Sequence, residues 1–223
     1  MTTDAKGSVT IDHGAALKAG GGLTTKADHD IAVQGANVEA GNDLTTDAKG
    51  NVVIENNANL TAKGNLSTIA GQNAHVKQGA LLKAEHDLTT QAQGNATVEN
   101  GAHLKAMENL LLAAGGNLLT EAGSVLEAGK KMTLKAGGDV TANSGAVLRA
   151  GENLTLAAGE SVFAPGELHV AGSITATAER GSVNVETVKT DNGDITLQSK
   201  QGDVTAANVQ SGQNVNQDRK SVV

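Results

Sequence analysis

The chain repeats itself about every 22 residues, and that period decides what it can fold into. Apolar starts fall at Met1, Leu23, Leu44, Leu66, Leu88, Leu110, Met132, Leu154, Ile174 and Ile195, with steps of 22, 21, 22, 22, 22, 22, 22, 20 and 21. Four positions after each start comes a small residue: Ala5, Ala27, Ala48, Ala70, Ala92, Ala114, Ala136, Ala158, Ala178 and Ser199. A fixed period of this length is the mark of a stacked array, in which each unit touches only its neighbours. Function must then be sought on a surface rather than in a pocket.

One unit reads as three short strands. In residues 88–109, Leu88-Thr89-Thr90-Gln91-Ala92 alternates inward and outward, Gly94-Asn95 turns, and Ala96-Thr97-Val98 forms a second strand. Asn100-Gly101 turns again, and Ala102-His103-Leu104-Lys105-Ala106 is a third strand. The inward pair of the second strand recurs as Val9/Ile11, Ile31/Val33, Val52/Ile54, Leu118/Thr120 and Val140/Ala142. The middle of the third strand recurs as Leu17, Val38, Leu60, Leu82, Leu104, Leu126 and Leu148. Three strands per coil describe a parallel β-helix in which each strand pairs with its counterpart one coil away. A helical repeat fails on spacing, because Gly or Asn interrupts every five to seven residues and leaves no window long enough for a helix.

Composition fits a thin column. There is no Trp or Tyr, one Phe (Phe163), 28 Gly and one Pro (Pro165). Small side chains must fill a narrow interior. No Cys is present, which excludes disulfides and thiolate metal sites. The formal charge of −7, with no basic cluster and no set of aromatic residues for bases to stack on, argues against nucleic-acid binding. No apolar run approaches the length of a membrane-spanning helix. The expected layout is regular coils over 1–153, shorter coils over 154–212 with a turn cut at Ala164-Pro165-Gly166, and a polar tail over 213–223 that frays. The first residues are already in register, so the chain is expected to begin inside a longer array.

No residue set points to catalysis, a metal or a cofactor. His13, His29, His75, His86, His103 and His169 fall at unrelated places in the coil, whereas metal ligands must converge. A polar column precedes the second strand: Ser8, Asp30, Asn51, Asn73, Asn95, Asn117, Asp139 and Ser161. Asp30 and Asp139 are five coils apart, about 24 Å at ~4.8 Å per coil, too far for a glycosidase pair. The column reads as a ladder tying turns together. The outward position of the first strand is Thr or Ser in every coil except at Leu111. Ice-binding β-helices carry two such rows, and the second row here is mixed. Residues 123–131 look like a phosphate loop but have one residue too many between the glycines, and Lys131 follows Lys130 where Ser or Thr is required.

The pattern resembles the filamentous haemagglutinin repeat family. Its good instances are Gly123-Ser124-Val125-Leu126-Glu127-Ala128-Gly129 and Gly145-Ala146-Val147-Leu148-Arg149-Ala150-Gly151-Glu152-Asn153-Leu154-Thr155-Leu156. The resemblance implies a right-handed parallel β-helix of about ten coils in the shaft of a secreted bacterial exoprotein. It implies export through a cognate outer-membrane transporter of two-partner secretion, adjacent coils of a parent chain as neighbours, and receptors on host or neighbouring bacterial cells as partners. Both an adhesin shaft and the stalk of a contact-dependent growth-inhibition toxin are open to such a chain. Ile54-Glu55-Asn56-Asn57 approximates a motif of toxin-linked members, but Val98-Glu99-Asn100-Gly101 marks it as a repeat position. The Asn-Pro-Asn motifs of the secretion domain do not occur. A β-helical polysaccharide lyase is the enzyme alternative, and it would need sugar-stacking aromatics that the chain lacks. The expected interaction surface is Leu119 and Phe163, which share the outward column of the second strand where neighbouring coils carry polar or small residues.

Overall fold

In a computed structural model, residues 1–219 are described, and every regular element is a strand. The strands build three parallel sheets of eleven, ten and seven members that form the walls of one β-helix. Each wall collects the same strand from successive coils. In the first wall, for example, Leu66 pairs with Leu88 and Leu88 with Leu110. The eleven strands of this wall make ten steps, about 48 Å at the ~4.8 Å spacing of paired strands.

Alternation within each strand puts one set of side chains inside. Leu60, Leu82, Leu104 and Leu126 are in register and have no exposed surface, and Leu148 continues the row. Burying each contributes roughly 1.5–3 kcal/mol. The small residue that ends the first-wall strands from Ala27 to Ser199 is also inward, so the column narrows at that corner. At the third position of the same strands the interior changes along the chain. Thr25, Thr46, Thr68 and Thr90 are buried there, followed in register by Leu112, Leu134 and Leu156. Thr46 donates to Thr68 at 3.3 Å, whereas the hydroxyls of Thr25 and Thr90 have no partner.

The second and third walls meet at a tight turn, as at Lys77-Gln78-Gly79-Ala80, where the Ala80 N–H donates to the Lys77 carbonyl. Gly79, Gly101, Gly123 and Gly145 take the left-handed conformation this turn requires. Coil three is different: Asn56 and Asn57 are both left-handed, the conformation of a type I′ turn.

After Leu154 the turn disappears. The sequence reads Ala164-Pro165-Gly166 as a turn, yet Val162–Val170 is one strand with a register shift between Ala164 and Glu167. One or two residues fewer per coil leave no loop to reverse, so the chain bends through a bulge and runs on. Val183–Thr190 and Val204–Gln210 repeat the arrangement. These coils therefore have two strands rather than three. The polar tail contributes Val215–Arg219 as the last strand of the first wall. Residues 220–223, the end of the tail expected to fray, lie outside the described residues.

Candidate interaction surface

The polar column before the second strand is a hydrogen-bond ladder. The side-chain oxygen of one coil accepts the backbone N–H of the next: Asn51 on Asp30, Asn73 on Asn51, Asn95 on Asn73, Asn117 on Asn95, Asp139 on Asn117 and Ser161 on Asp139, at 2.6–3.1 Å. Each bond satisfies a turn amide that the strands leave unpaired. Asp30 and Asp139 are thus committed to structure. A second ladder, at the corner before the first strand, escaped the sequence reading. It runs through Asp43, Asn65, Asp87 and Asn109, each accepting the next coil's N–H. It stops at Lys131, which has no side-chain acceptor to offer, and resumes where Asn153 accepts from Ser173. The signal was available, since Asp or Asn recurs there at the coil period.

Charges outside are also stitched from coil to coil. Lys18–Glu39, Lys49–Asp28, Lys77–Glu55, Lys130–Glu108 and Arg180–Glu160 are ion pairs of 2.6–2.9 Å. The densest group centres on Glu127, which holds Lys105 at 2.9 Å and Arg149 at 3.2 Å, with His103 at 3.4 Å. The hydrogen bond from Lys105 does most to hold the Glu127 carboxyl below the usual range, against the opposing effect of partial burial. Exposed pairs of this kind contribute little to stability, because water screens them. They align rows rather than build a reactive centre. Among the described residues, no three His, Asp or Glu side chains are grouped to hold a metal ion.

Leu119 and Phe163 lie where the sequence places them, on the outward face of the second wall. Leu119 pairs with Thr141 and Thr141 with Phe163, so the two are two coils apart in one row, about 10 Å at the strand spacing. Phe163 is 42% exposed and Leu119 is half-buried. Val125 and Val147 form a separate pair on the third wall.

A stacked column of parallel strands whose polar groups join one coil to the next defines a β-solenoid. A family model described as hemagglutinin repeat matches residues 2–145, well over half of the 223 residues, and the chain belongs to that family. No curated protein and no solved structure matches it. The fold and the repeat family agree with the shaft-like reading of the sequence.

Proposed function

We propose that this chain is a segment of the shaft of a secreted, filamentous haemagglutinin-like adhesin, holding binding or effector domains away from the bacterial surface. The observation that carries the reading is the continuous register of the first wall, in which eleven strands stack without a break. Strand pairing and turn ladders run along the column axis, so length is gained by adding coils. Export through a cognate two-partner-secretion transporter and display at the cell surface belong to the same proposal, as does a purely structural, non-enzymatic role.

Leu119 and Phe163 are, within this reading, the point where a cell receptor touches the shaft, because exposed apolar surface marks contact sites. The test uses the parent exoprotein in its own cells. Surface display should vanish when the transporter is deleted, and a Leu119→Ser, Phe163→Ser variant should reach the surface yet bind target cells less well. Display without the transporter, or turnover of an acidic polysaccharide by the purified chain, would contradict the shaft. Unchanged cell binding by the double variant would remove the contact site alone.

A further inference from the structure

The first wall is the longest sheet, and its outward side chains are half-buried or exposed. They form two rows, one mostly of Thr and one mixed. Coil five, with the strand Leu88–Ala92, sits near the middle of both. In the first row Ser67 and Leu111 flank Thr89 in register. In the second row Ile69 and Ala113 flank Gln91, with Asp47 and Lys135 one step further out. At equal distances from coil five, a large apolar residue on one side answers a small residue on the other, and an anion answers a cation.

Ile69 and Leu111 are the large apolar residues of these rows, and both lie within one coil of the centre. Asp47 and Lys135 join no ion pair among the described residues, although charges elsewhere pair from coil to coil. Lys26 lies beside Asp47 in register without forming one. Such a face is complementary to itself once reversed. A second copy, turned by half a turn about the Leu88–Ala92 strand, sets coil four on coil six and coil three on coil seven. Leu111 then meets Ser67, Ile69 meets Ala113 and Asp47 meets Lys135, and symmetry makes each contact twice. Sliding the copy by one coil sets Lys135 on Ile69 or on Lys26, which leaves a covered cation unpaired or brings two together.

We propose that the outward face of the first wall binds a second copy of this chain, with the two columns antiparallel and the two-fold axis through coil five. Coils one to nine of each copy overlap in this arrangement. At ~4.8 Å per coil and ~3.3 Å per residue, the overlap covers about 650 Å² per copy, or about 1,300 Å² in all, within the range of specific interfaces. Mostly small side chains let the two sheets approach to the ~10 Å of face-to-face packing. Leu111 and Ile69 supply the apolar centre. The two Asp47–Lys135 pairs fix the register and select the antiparallel arrangement. In parallel columns Asp47 would face Thr45 and Lys135 would face Thr133, with no partner for either charge.

The test is the association state of the intact chain, followed by analytical ultracentrifugation over a concentration series. A reversible dimer is expected. Asp47→Lys and Lys135→Glu should each weaken it about tenfold or more, because each sets like charges together twice, and the double variant should restore it. Circular dichroism checks that every variant folds. Cross-linking with a short bis-maleimide reads the geometry, since the chain has no Cys of its own. Thr89→Cys lies on the axis and should cross-link to its own copy across the interface, whereas Thr175→Cys, four coils away in the same row, should not. A bulky group attached at Thr89→Cys should return the chain to monomer, and a dimer that survives it overturns the proposal. A chain that stays monomeric at about 1 mM also overturns it. So does a dimer indifferent to both charge reversals, which would place the contact at an end of the column or on another wall, and so does a double variant no tighter than the single ones. Equal cross-linking of Thr175→Cys would mean parallel columns and overturns it as well.

Discussion

Coils two to five and coils six to eight share the register of the first wall, yet differ inside. The third position of the first-wall strand is Thr25, Thr46, Thr68 and Thr90 in the first group and Leu112, Leu134 and Leu156 in the second. One group buries a column of hydroxyls, two of them unpartnered; the other buries branched apolar side chains. The same wall accepts both. Interior chemistry therefore does not select the architecture. Backbone pairing and the turn ladders do, and the interior sets how stable each coil is. Since stability in such arrays is close to a sum over neighbours, the two groups should open separately, with coils two to five the weaker.

Substitutions can break or sharpen this contrast. The largest effect is expected where the groups agree. Leu104→Ala empties a site on the leucine row of the third wall and should cost roughly 2–5 kcal/mol, while its neighbour His103→Ala, facing outward, should cost far less. Denaturant melts of both decide the matter, and equal losses would invalidate the inward and outward assignment. Exchanging the contrasted residues comes next. Thr90→Val keeps the shape and removes an unpartnered hydroxyl, so a gain of about 0.5–2 kcal/mol is expected, whereas Leu134→Thr should destabilise by about 2–4 kcal/mol. If both exchanges were neutral, the two interiors would be equivalent.

Smaller effects test the outside of the column. Lys131 interrupts the second ladder, so Lys131→Asn should give the Asn153 N–H an acceptor and raise the melting midpoint by the equivalent of about 0.5–1 kcal/mol. A lower midpoint would mean that the ladder is ornamental. The smallest effect is that of Glu127, whose folded carboxyl lies below the ordinary value of about 4.5. Its contribution is complete above that value and is lost as pH falls through the lower folded one, and with its partners partly exposed it should be under about 1 kcal/mol. Melts of the parent chain and Glu127→Gln between pH 7 and pH 3 should converge at the acid end.

The period, the inward rows and the first ladder are legible in the sequence because each is written at a fixed offset in coil after coil. Leu60, Leu82, Leu104, Leu126 and Leu148 can be aligned by counting. The second ladder is written as regularly, but Asp43, Asn65, Asp87 and Asn109 sit where the chain returns to the next start and read as linkers. The merged strands are harder. Pro165-Gly166 is locally a turn signal, and only the missing length of its coil converts it to a bulge. The end of the third wall at Val147–Ala150 follows from that merger and has no local signature. Leu119 and Phe163 are legible as outward because alternation carries through their strands, though what they meet is not written in one chain.

The central claim is a single column with one strand of the first wall per coil. The chain has no Cys, so two introduced cysteines can be spin-labelled without background. Thr24 and Thr155 lie in one outward row, six coils apart through Thr45, Ser67, Thr89, Leu111 and Thr133. Electron–electron dipolar spectroscopy on the Thr24→Cys, Thr155→Cys variant should give one narrow distance near 29 Å, six steps of about 4.8 Å. A broad distribution, or a distance that does not grow by one step when the second label is moved to Thr175, would contradict the stacked column.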